Sequence, residues 1–168
     1  NNAYTNVKPL VPRYLRAGVK GRLDRAGREI APLDLAGIDA AIAEFRREGV
    51  EAVSICFMNS YANPAHEAAA AERVRAAMPD AFLTVSSTLL PSIRFYERVS
   101  TTALNSYVGP KLNRYVEQLV SRLASAGFRG TLLIMQSNGG VMAPEVARSS
   151  PALTLLSGPA GGPGAGLF

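Results

Sequence analysis

The stretch that decides the fold is Leu153-Thr154-Leu155-Leu156, followed by Ser157-Gly158-Pro159-Ala160-Gly161-Gly162-Pro163-Gly164-Ala165-Gly166. The first four residues form a short apolar run of the kind that makes a buried strand. The next ten contain five glycines, two prolines and a serine, which cannot pack a core and predict a loop with an uncovered backbone. Successive uncovered N–H groups bind anions, above all phosphates. The stretch therefore predicts either a phosphate-binding loop or a plain tight connection.

Two familiar phosphate-binding patterns do not describe this glycine segment. It lacks the lysine and the Ser/Thr ending of a Walker A motif, and its glycine spacing is not a clean dinucleotide fingerprint. The chain ends two residues later, at Phe168. We interpret it as a fragment of a larger nucleotide-using enzyme.

Composition places the chain among globular proteins. Its 168 residues are 48% hydrophobic and 18% charged, enough for about one domain or slightly more. The 18 basic residues are mixed with 13 acidic ones and form no run, which argues against nucleic-acid binding. No apolar run reaches the roughly 18 residues that a membrane span needs. The single cysteine, Cys56, cannot form an internal disulfide and reads as a small buried hydrophobe, so we expect a cytoplasmic protein.

The first half of the chain predicts an α/β unit. Residues 1–17 read as a tag or linker, and 18–30 as a hairpin that turns at Asp24–Gly27. A helix capped by Asp34 precedes a strand at 50–58, and a helix that begins at Asn63-Pro64 precedes a strand at 82–87. This alternation predicts an α/β layer over 18–90.

The second half predicts a long helix and the start of another sheet. Residues 91–100 form a junction, and 101–126 form a helix that Pro110 interrupts or kinks and Gly127 ends. A buried strand at 131–135, a turn, a short helix at 144–148 and a strand at 153–156 follow. We therefore divide the chain into 1–17, 18–90, 91–130 and an incomplete part, 131–168.

The turn Gln136-Ser137-Asn138-Gly139-Gly140 is the second candidate site. Asn-Gly is a strong hairpin signal, so the turn needs no ligand to explain it. The polar side chains nevertheless follow a strand, where α/β folds bind ligands.

Two further groups have a structural and a functional interpretation. Arg94, Glu97 and Arg98 lie within five residues, and they form either a clamp for a carboxylate or phosphate or an interdomain ion-pair network. His66, the only histidine, lies in the first turn of a predicted surface helix. It has no partners at metal-ligand or triad spacing, so we predict no metal site and no catalytic role for it.

Four segments in order resemble the hydantoinase A / 5-oxoprolinase family. They are CFMNSYANPAHE at 56–67, LPSIRFYERVSTTALNSY at 90–107, MQSNGGVM at 135–142 and LLSGPAGG at 155–162. The resemblance runs from about Pro12 to the end of the chain.

The resemblance implies a fold and an activity. The fold is that of the sugar kinase, heat-shock 70 and actin group, in which two ribonuclease-H-like halves hold ATP between them. The activity is ATP-dependent hydrolysis of a cyclic amide, and the alternatives are a ketone carboxylase of the same family or a non-catalytic docking module. The family's first phosphate loop is absent here. The second would be Ser157, Gly158, Pro159, Ala160, Gly161 and Gly162, accompanied by Gln136, Ser137, Asn138 and Gly139.

The resemblance also implies what the protein works with. ATP and a divalent metal serve the full-length protein, with none held tightly by this piece alone, which we expect to be inactive. The partners are a hydantoinase B-type subunit and a small cyclic amide, and homo-oligomerisation stays open. Pro163 and Gly164 stand where the family continues with small aliphatic residues, so we expect a helix to begin at Pro163.

Overall fold

The structure is a computed structural model that describes residues 9–166. The predicted tag or linker at 1–17 therefore lies partly outside the described residues. Within the described part, Arg13–Leu15 forms a single 3-10 turn. The chain divides into two compact units between Leu104 and Asn105.

The first unit opens with the predicted hairpin. Strands β1 (Arg22–Leu23) and β2 (Glu29–Ala31) pair antiparallel. One carboxylate oxygen of Asp24 accepts hydrogen bonds from the backbone N–H groups of Ala26 at 2.8 Å and Arg28 at 2.9 Å. Gly27 takes a φ of +80°, which a residue with a Cβ rarely adopts. The hairpin prediction is confirmed.

A parallel strand pair follows, with helices between and before its strands. Helix α1 (Leu35–Arg47) precedes β3 (Ala52–Ile55), and helix α2 (Ala65–Ala77) precedes β4 (Phe82–Val85). The strands pair in register from Ala52 opposite Phe82 to Ile55 opposite Val85. The buried residues packed between sheet and helices are Ile38, Ile42, Val53, Ile55, Ala70, Ala71, Val74 and Met78. The predicted helix–strand–helix–strand order is confirmed.

Helix α1 begins as the sequence predicts, whereas α2 begins one residue later than expected, with Pro64 at its N-cap position. Asp34 accepts a hydrogen bond from the N–H of Gly37 at 3.0 Å, the bond of an N-cap. Asn63 accepts one from the N–H of Ala65 at 3.0 Å.

Both strands are shorter than predicted. The strand expected at 82–87 ends at Val85, because helix α3 (Ser86–Leu89) begins at Ser86. The hydroxyl of Ser86 and the N–H of Ser87 both donate to the carboxylate of Glu67, which turns the chain out of the sheet.

Helix α4 (Phe95–Ser125) begins six residues before the predicted start and continues through Pro110. Its early start follows from Arg98, whose N–H donates to the carbonyl of Arg94 and whose side chain is buried. Gly127, with a φ of +75°, follows its end as predicted.

The second unit contains a small hairpin. Strands β5 (Ile134–Met135) and β6 (Val141–Met142) pair antiparallel, and helix α5 (Pro144–Ser149) follows. The prediction of a buried strand at 131–135 is wrong, since Leu133 is 52% exposed and Met135 39% exposed. A hairpin of two strands with two residues each is too small to bury the side chains on both of its faces. The short predicted helix after the hairpin is confirmed.

Candidate functional site

The glycine segment is helical. The strand predicted at 153–156 is wrong, because Pro151–Thr154 forms a 3-10 turn and Leu156 has a φ of +61°. The Thr154 hydroxyl donates to the carbonyl of Pro151 at 2.8 Å, which holds the turn closed. The loop predicted after it is also wrong, since helix α6 (Ser157–Ala165) begins at Ser157 and not at Pro163.

The structure brings the two predicted binding segments together. The N–H of Ser137 in the hairpin turn donates to the carbonyl of Leu153 at 2.7 Å, just before α6. A Cβ built on Gly139 would lie 3.7 Å from the carbonyl oxygen of Ala160. The turn between β5 and β6 therefore packs beside the start of α6.

The hairpin turn satisfies much of its own hydrogen bonding. The N–H of Gly139 donates to the carbonyl of Gln136 at 3.1 Å, and that of Gly140 donates to the side-chain oxygen of Asn138 at 2.8 Å. Gly139 has a φ of +84°. These bonds confirm the turn without a ligand. Ser137 and Asn138 remain exposed beside α6.

The start of α6 offers a narrower set of donors than an open loop would. The first N–H groups of an α-helix have no intrahelical acceptor, so those of Ser157 and Gly158 fall outside the helical pattern. Pro159 has no N–H, and the N–H of Ala160 donates to the carbonyl of Leu156 at 3.2 Å. The backbone donors that the helix itself does not use are therefore those of Ser157 and Gly158, where the helix dipole also favours negative charge.

The glycines of α6 differ in their surroundings. A Cβ on Gly161 would lie 2.5 Å from the sulfur of Met135, so Gly161 allows β5 to pack against the helix. Cβ atoms on Gly158 and Gly162 would meet nothing within 4 Å. The backbone at Gly158 is thus open to a close approach from outside.

Arg98 is a buried ion-pair residue and not a clamp for a ligand. Its side chain is 1% exposed, and its Nη1 lies 3.5 Å from Oε1 of Glu67, whose side chain is fully buried. Arg94 and Glu97 pair at 3.5 Å on the exposed surface. The ion-pair interpretation is confirmed for Arg98, although both partners belong to the first unit.

Serine hydroxyls and backbone groups complete this cluster. Arg98 donates to the hydroxyl of Ser60, to that of Ser86 at 2.7 Å, and to the carbonyl of Phe57 at 2.8 Å. Glu67 in turn accepts from the N–H of Phe57 at 2.7 Å and from both hydroxyls. Sequence reasoning missed Glu67, although an acid directly before the run of alanines in α2 was its available signal.

His66 is buried, which corrects its placement on a surface helix. Its Nε2 lies 2.8 Å from a carboxylate oxygen of Glu29 on β2, so the histidine links α2 to the hairpin. It also lines a cavity of about 520 Å³, together with Cys56, Phe57, Asn59 and Phe95 among others.

Cys56 is half-buried at the edge of this cavity. Burial raises the pKa of its thiol above the ordinary 9.0, although a hydrogen bond with Ser86 and the charge of Arg98 act in the opposite direction. The thiol therefore stays protonated near neutral pH, as expected of a structural cysteine.

Neither a metal-ligand cluster nor a membrane-spanning helix is present among residues 9–166. Residues 9–166 contain no cluster of three or more His, Cys, Asp or Glu side chains that could hold a metal ion. Within that range, every helix is too short or too polar to traverse a bilayer.

Comparison with known protein families gives two matches along the chain. Residues 1–78 match the model of the hydantoinase/oxoprolinase N-terminal region, and residues 98–165 match that of hydantoinase/oxoprolinase.

Similar proteins and structures point the same way. The chain is 42% identical over 164 residues to the caprolactamase subunit alpha of Pseudomonas jessenii, covering 98% of this chain and 24% of the relative. It is 31% identical over 144 residues to 5-oxoprolinase 1 of Arabidopsis thaliana, covering 86% of this chain and 11% of the relative. The crystal structure of the ATP-dependent caprolactamase from Pseudomonas jessenii matches 99% of this chain and 24% of its own, with a TM-score of 0.92 and 41% identity.

A more distant structure is also similar. Nucleotide-free acetone carboxylase matches 92% of this chain and 22% of its own, with a TM-score of 0.81 and 26% identity. The chain thus spans about a quarter or less of the length of these relatives.

Proposed function

Because this chain belongs to the hydantoinase/oxoprolinase family, we propose that the full-length protein hydrolyses a cyclic amide in an ATP-dependent reaction. The observation that carries this proposal is the likeness to the ATP-dependent caprolactamase in sequence and in structure along nearly the whole chain. The weaker likeness to acetone carboxylase supports the alternative, an ATP-dependent ketone carboxylase.

The chemistry explains why such an enzyme consumes ATP. An unactivated amide carbonyl is a poor electrophile. Transfer of the γ-phosphoryl group to the amide oxygen, with departure of ADP, makes the ring carbon open to attack by water. The C–N bond then breaks, and phosphate is released by a second water, so the net reaction is lactam, ATP and two waters to amino acid, ADP and phosphate. Preorganised donors that hold the transferred phosphoryl group would lower this barrier.

We assign that phosphate contact to the first turn of α6. Ser157 supplies a hydroxyl and an N–H, and Gly158 supplies an N–H beside an open space where a phosphate oxygen can approach. The exposed side chains of Ser137 and Asn138, with Gln136 and Gly139, belong to the hairpin turn that packs beside α6, and we propose that they complete this site. Pro159, Ala160, Gly161 and Gly162 form the helix body, so for them we propose a packing role in place of direct contact.

The wider arrangement is also a proposal. We propose a two-half ribonuclease-H-like ATPase of the sugar kinase, heat-shock 70 and actin type, with this chain contributing one α/β unit and the start of the second half. The protein would act in the cytoplasm with a B-type subunit, and the 168 residues alone would not turn over. Relatives named as subunits support a multi-subunit enzyme. The described residues form no metal-ligand cluster, so we assign no step to a metal held by them.

The test is ring opening by the full-length protein with its partner subunit, assayed with ATP on hydantoin, 5-oxoproline and caprolactam. Gly158→Val and Gly162→Val form a matched pair, since each adds the same side chain to the same helix at a position with nothing within 4 Å. We expect Gly158→Val to abolish ATP-dependent ring opening and Gly162→Val to retain at least half of it.

Other outcomes would change the assignment. Equal loss in both variants would mean that the glycine segment acts as an open loop along its length. Bicarbonate-dependent ATP hydrolysis with a ketone, and no ring opening, would make the protein a carboxylase. If the protein uses no ATP under any of these conditions, the non-catalytic docking module is the interpretation that remains.

A further inference from the structure

Asn105, a buried residue of the long helix α4, forms hydrogen bonds to the segment that leads into α6. Asn105 is fully buried, and its side-chain oxygen accepts a hydrogen bond from the N–H of Ala152 at 3.0 Å. Its side-chain nitrogen donates to the carbonyl of Ser149 at 3.4 Å. The two bonds span the joint between α5 and the 3-10 turn, in which Pro151 is itself buried.

The same turn is held from its other side by the β5–β6 hairpin. The N–H of Ser137 donates to the carbonyl of Leu153, one residue after Ala152. Asn105 and Ser137 therefore fix consecutive residues of one short segment. Three residues beyond, Leu156 takes a left-handed φ of +61° and Ser157 begins α6.

This geometry ties the direction of the first turn of α6 to Asn105. A left-handed non-glycine residue persists only where its surroundings hold it, because the conformation costs about 1–3 kcal/mol. The turn before Leu156 is anchored by Asn105 and Ser137, and the Leu156 carbonyl accepts the helical hydrogen bond from the N–H of Ala160. A loosened turn would let Leu156 relax and would swing the N–H groups of Ser157 and Gly158 away from their common direction.

We propose that Asn105 is a positioning residue for phosphate binding, acting through Ala152 and the 3-10 turn on Ser157 and Gly158. The inference rests on the proposed function of α6. Asn105 does not touch the ligand, because it is fully buried behind the turn. Its amide suits the task, since one side chain can accept from an N–H and donate to a carbonyl at once.

The experiment measures the dissociation constant and KM of ATP for the full-length protein with its partner subunit, beside the KM of the cyclic amide. Asn105→Ala removes both bonds, whereas Asn105→Asp keeps an acceptor for the N–H of Ala152. Glu117→Gln is the control, since Glu117 lies on the same helix and its side chain pairs with Arg148 of α5 at the exposed surface.

We expect Asn105→Ala to weaken ATP binding about tenfold. A loss of this size arises when only about one molecule in ten holds Ser157 and Gly158 in the binding-competent arrangement. This factor corresponds to about 1.4 kcal/mol. The KM of the cyclic amide should change by less than about twofold, Asn105→Asp should recover most of the ATP affinity, and Glu117→Gln should match the unaltered protein. A purely structural role would lower thermal stability without separating the two KM values.

The results distinguish a failure of the positioning role of Asn105 from a failure of phosphate binding by α6. If Gly158→Val abolishes ATP binding and folded Asn105→Ala binds ATP as tightly as the unaltered protein, or folded Asn105→Asp fails to recover the ATP affinity, Asn105 has no positioning role and the assignment of α6 stands. If the unaltered protein does not bind ATP, or if Gly158→Val binds it normally, both proposals fail.

Discussion

Replacing Glu67 by glutamine keeps the shape of a buried side chain and removes the charge that faces Arg98. The guanidinium would then remain buried without its counter-ion. One of the two side-chain oxygens would become an amide that must face the N–H of Phe57 or Ser87, so a donor would meet a donor. The first unit should loosen where β3, β4 and the start of α4 converge.

The structure sets the size of the effect. Removing one partner of a buried ion pair costs about 3–5 kcal/mol, because the other charge stays buried and unpaired. Arg94 and Glu97 provide the matched control, since their side chains are 76% and 52% exposed. An exposed pair of this kind contributes about 0–1 kcal/mol. Glu97→Gln should therefore cost far less than Glu67→Gln.

Hydrogen exchange of the full-length protein, followed by mass spectrometry, measures the difference locally. Phe57 and Ser87 carry amides that donate directly to Glu67, so peptides that contain them report on the cluster. At about 1.4 kcal/mol per factor of ten, Glu67→Gln should accelerate their exchange by about two to three and a half powers of ten. Glu97→Gln should accelerate it less than about fivefold.

A double variant completes the design. Glu67→Gln combined with Arg98→Met leaves no unpaired charge, so its cost should be smaller than the sum of the two single costs. Equal acceleration in Glu67→Gln and Glu97→Gln, or strict additivity in the double variant, would refute the view that the buried charges depend on each other.

Three further predictions concern local features of the first unit. Asp34→Ala should destabilise the start of α1 by about 1 kcal/mol, seen as faster exchange of the Gly37 amide, while Asp34→Asn should not. Backbone and side-chain hydrogen bonds from Arg28 lower the pKa of Asp24 below 3.8, so its stabilisation of the hairpin is complete above that pH and is lost as the pH falls through the lowered value. An NMR acid titration should show this loss, and an unchanged profile in Asp24→Asn would contradict it. Because burial raises the pKa of Cys56, iodoacetamide should modify it slowly at neutral pH and rapidly in urea, and equal rates would disprove its protection.

Features that depend on neighbouring residues could be predicted from the sequence. The Asp34 cap, the Asp24–Gly27 turn and the end of α4 at Gly127 each rest on a side chain or a φ value within a few residues. The hairpin turn after β5 belongs to the same class. Sequence rules describe such features well, because the groups that stabilise them are adjacent in the chain.

Features that depend on distant partners could not be predicted. Arg98 and Glu67 are 31 residues apart, and nothing next to either residue shows that burial joins them. The run at 153–156 looks like a strand because its side chains are apolar. It became a 3-10 turn because Asn105, 47 residues from Ala152, and Ser137 take up its backbone groups from two sides.

The sequence by itself determined the order of elements in the first unit, the family resemblance, and the two segments that carry the candidate site. Periodic apolar residues, caps and glycines act on residues near them in the chain, and these local interactions are enough to specify the order of the elements. Only the tertiary structure decided that the glycine segment is a helix and that the hairpin turn lies beside it. It also decided that Arg98 faces inward to Glu67. Each of those depends on which backbone and charged groups meet when the chain folds, because a buried polar group must find its partner wherever the fold places one.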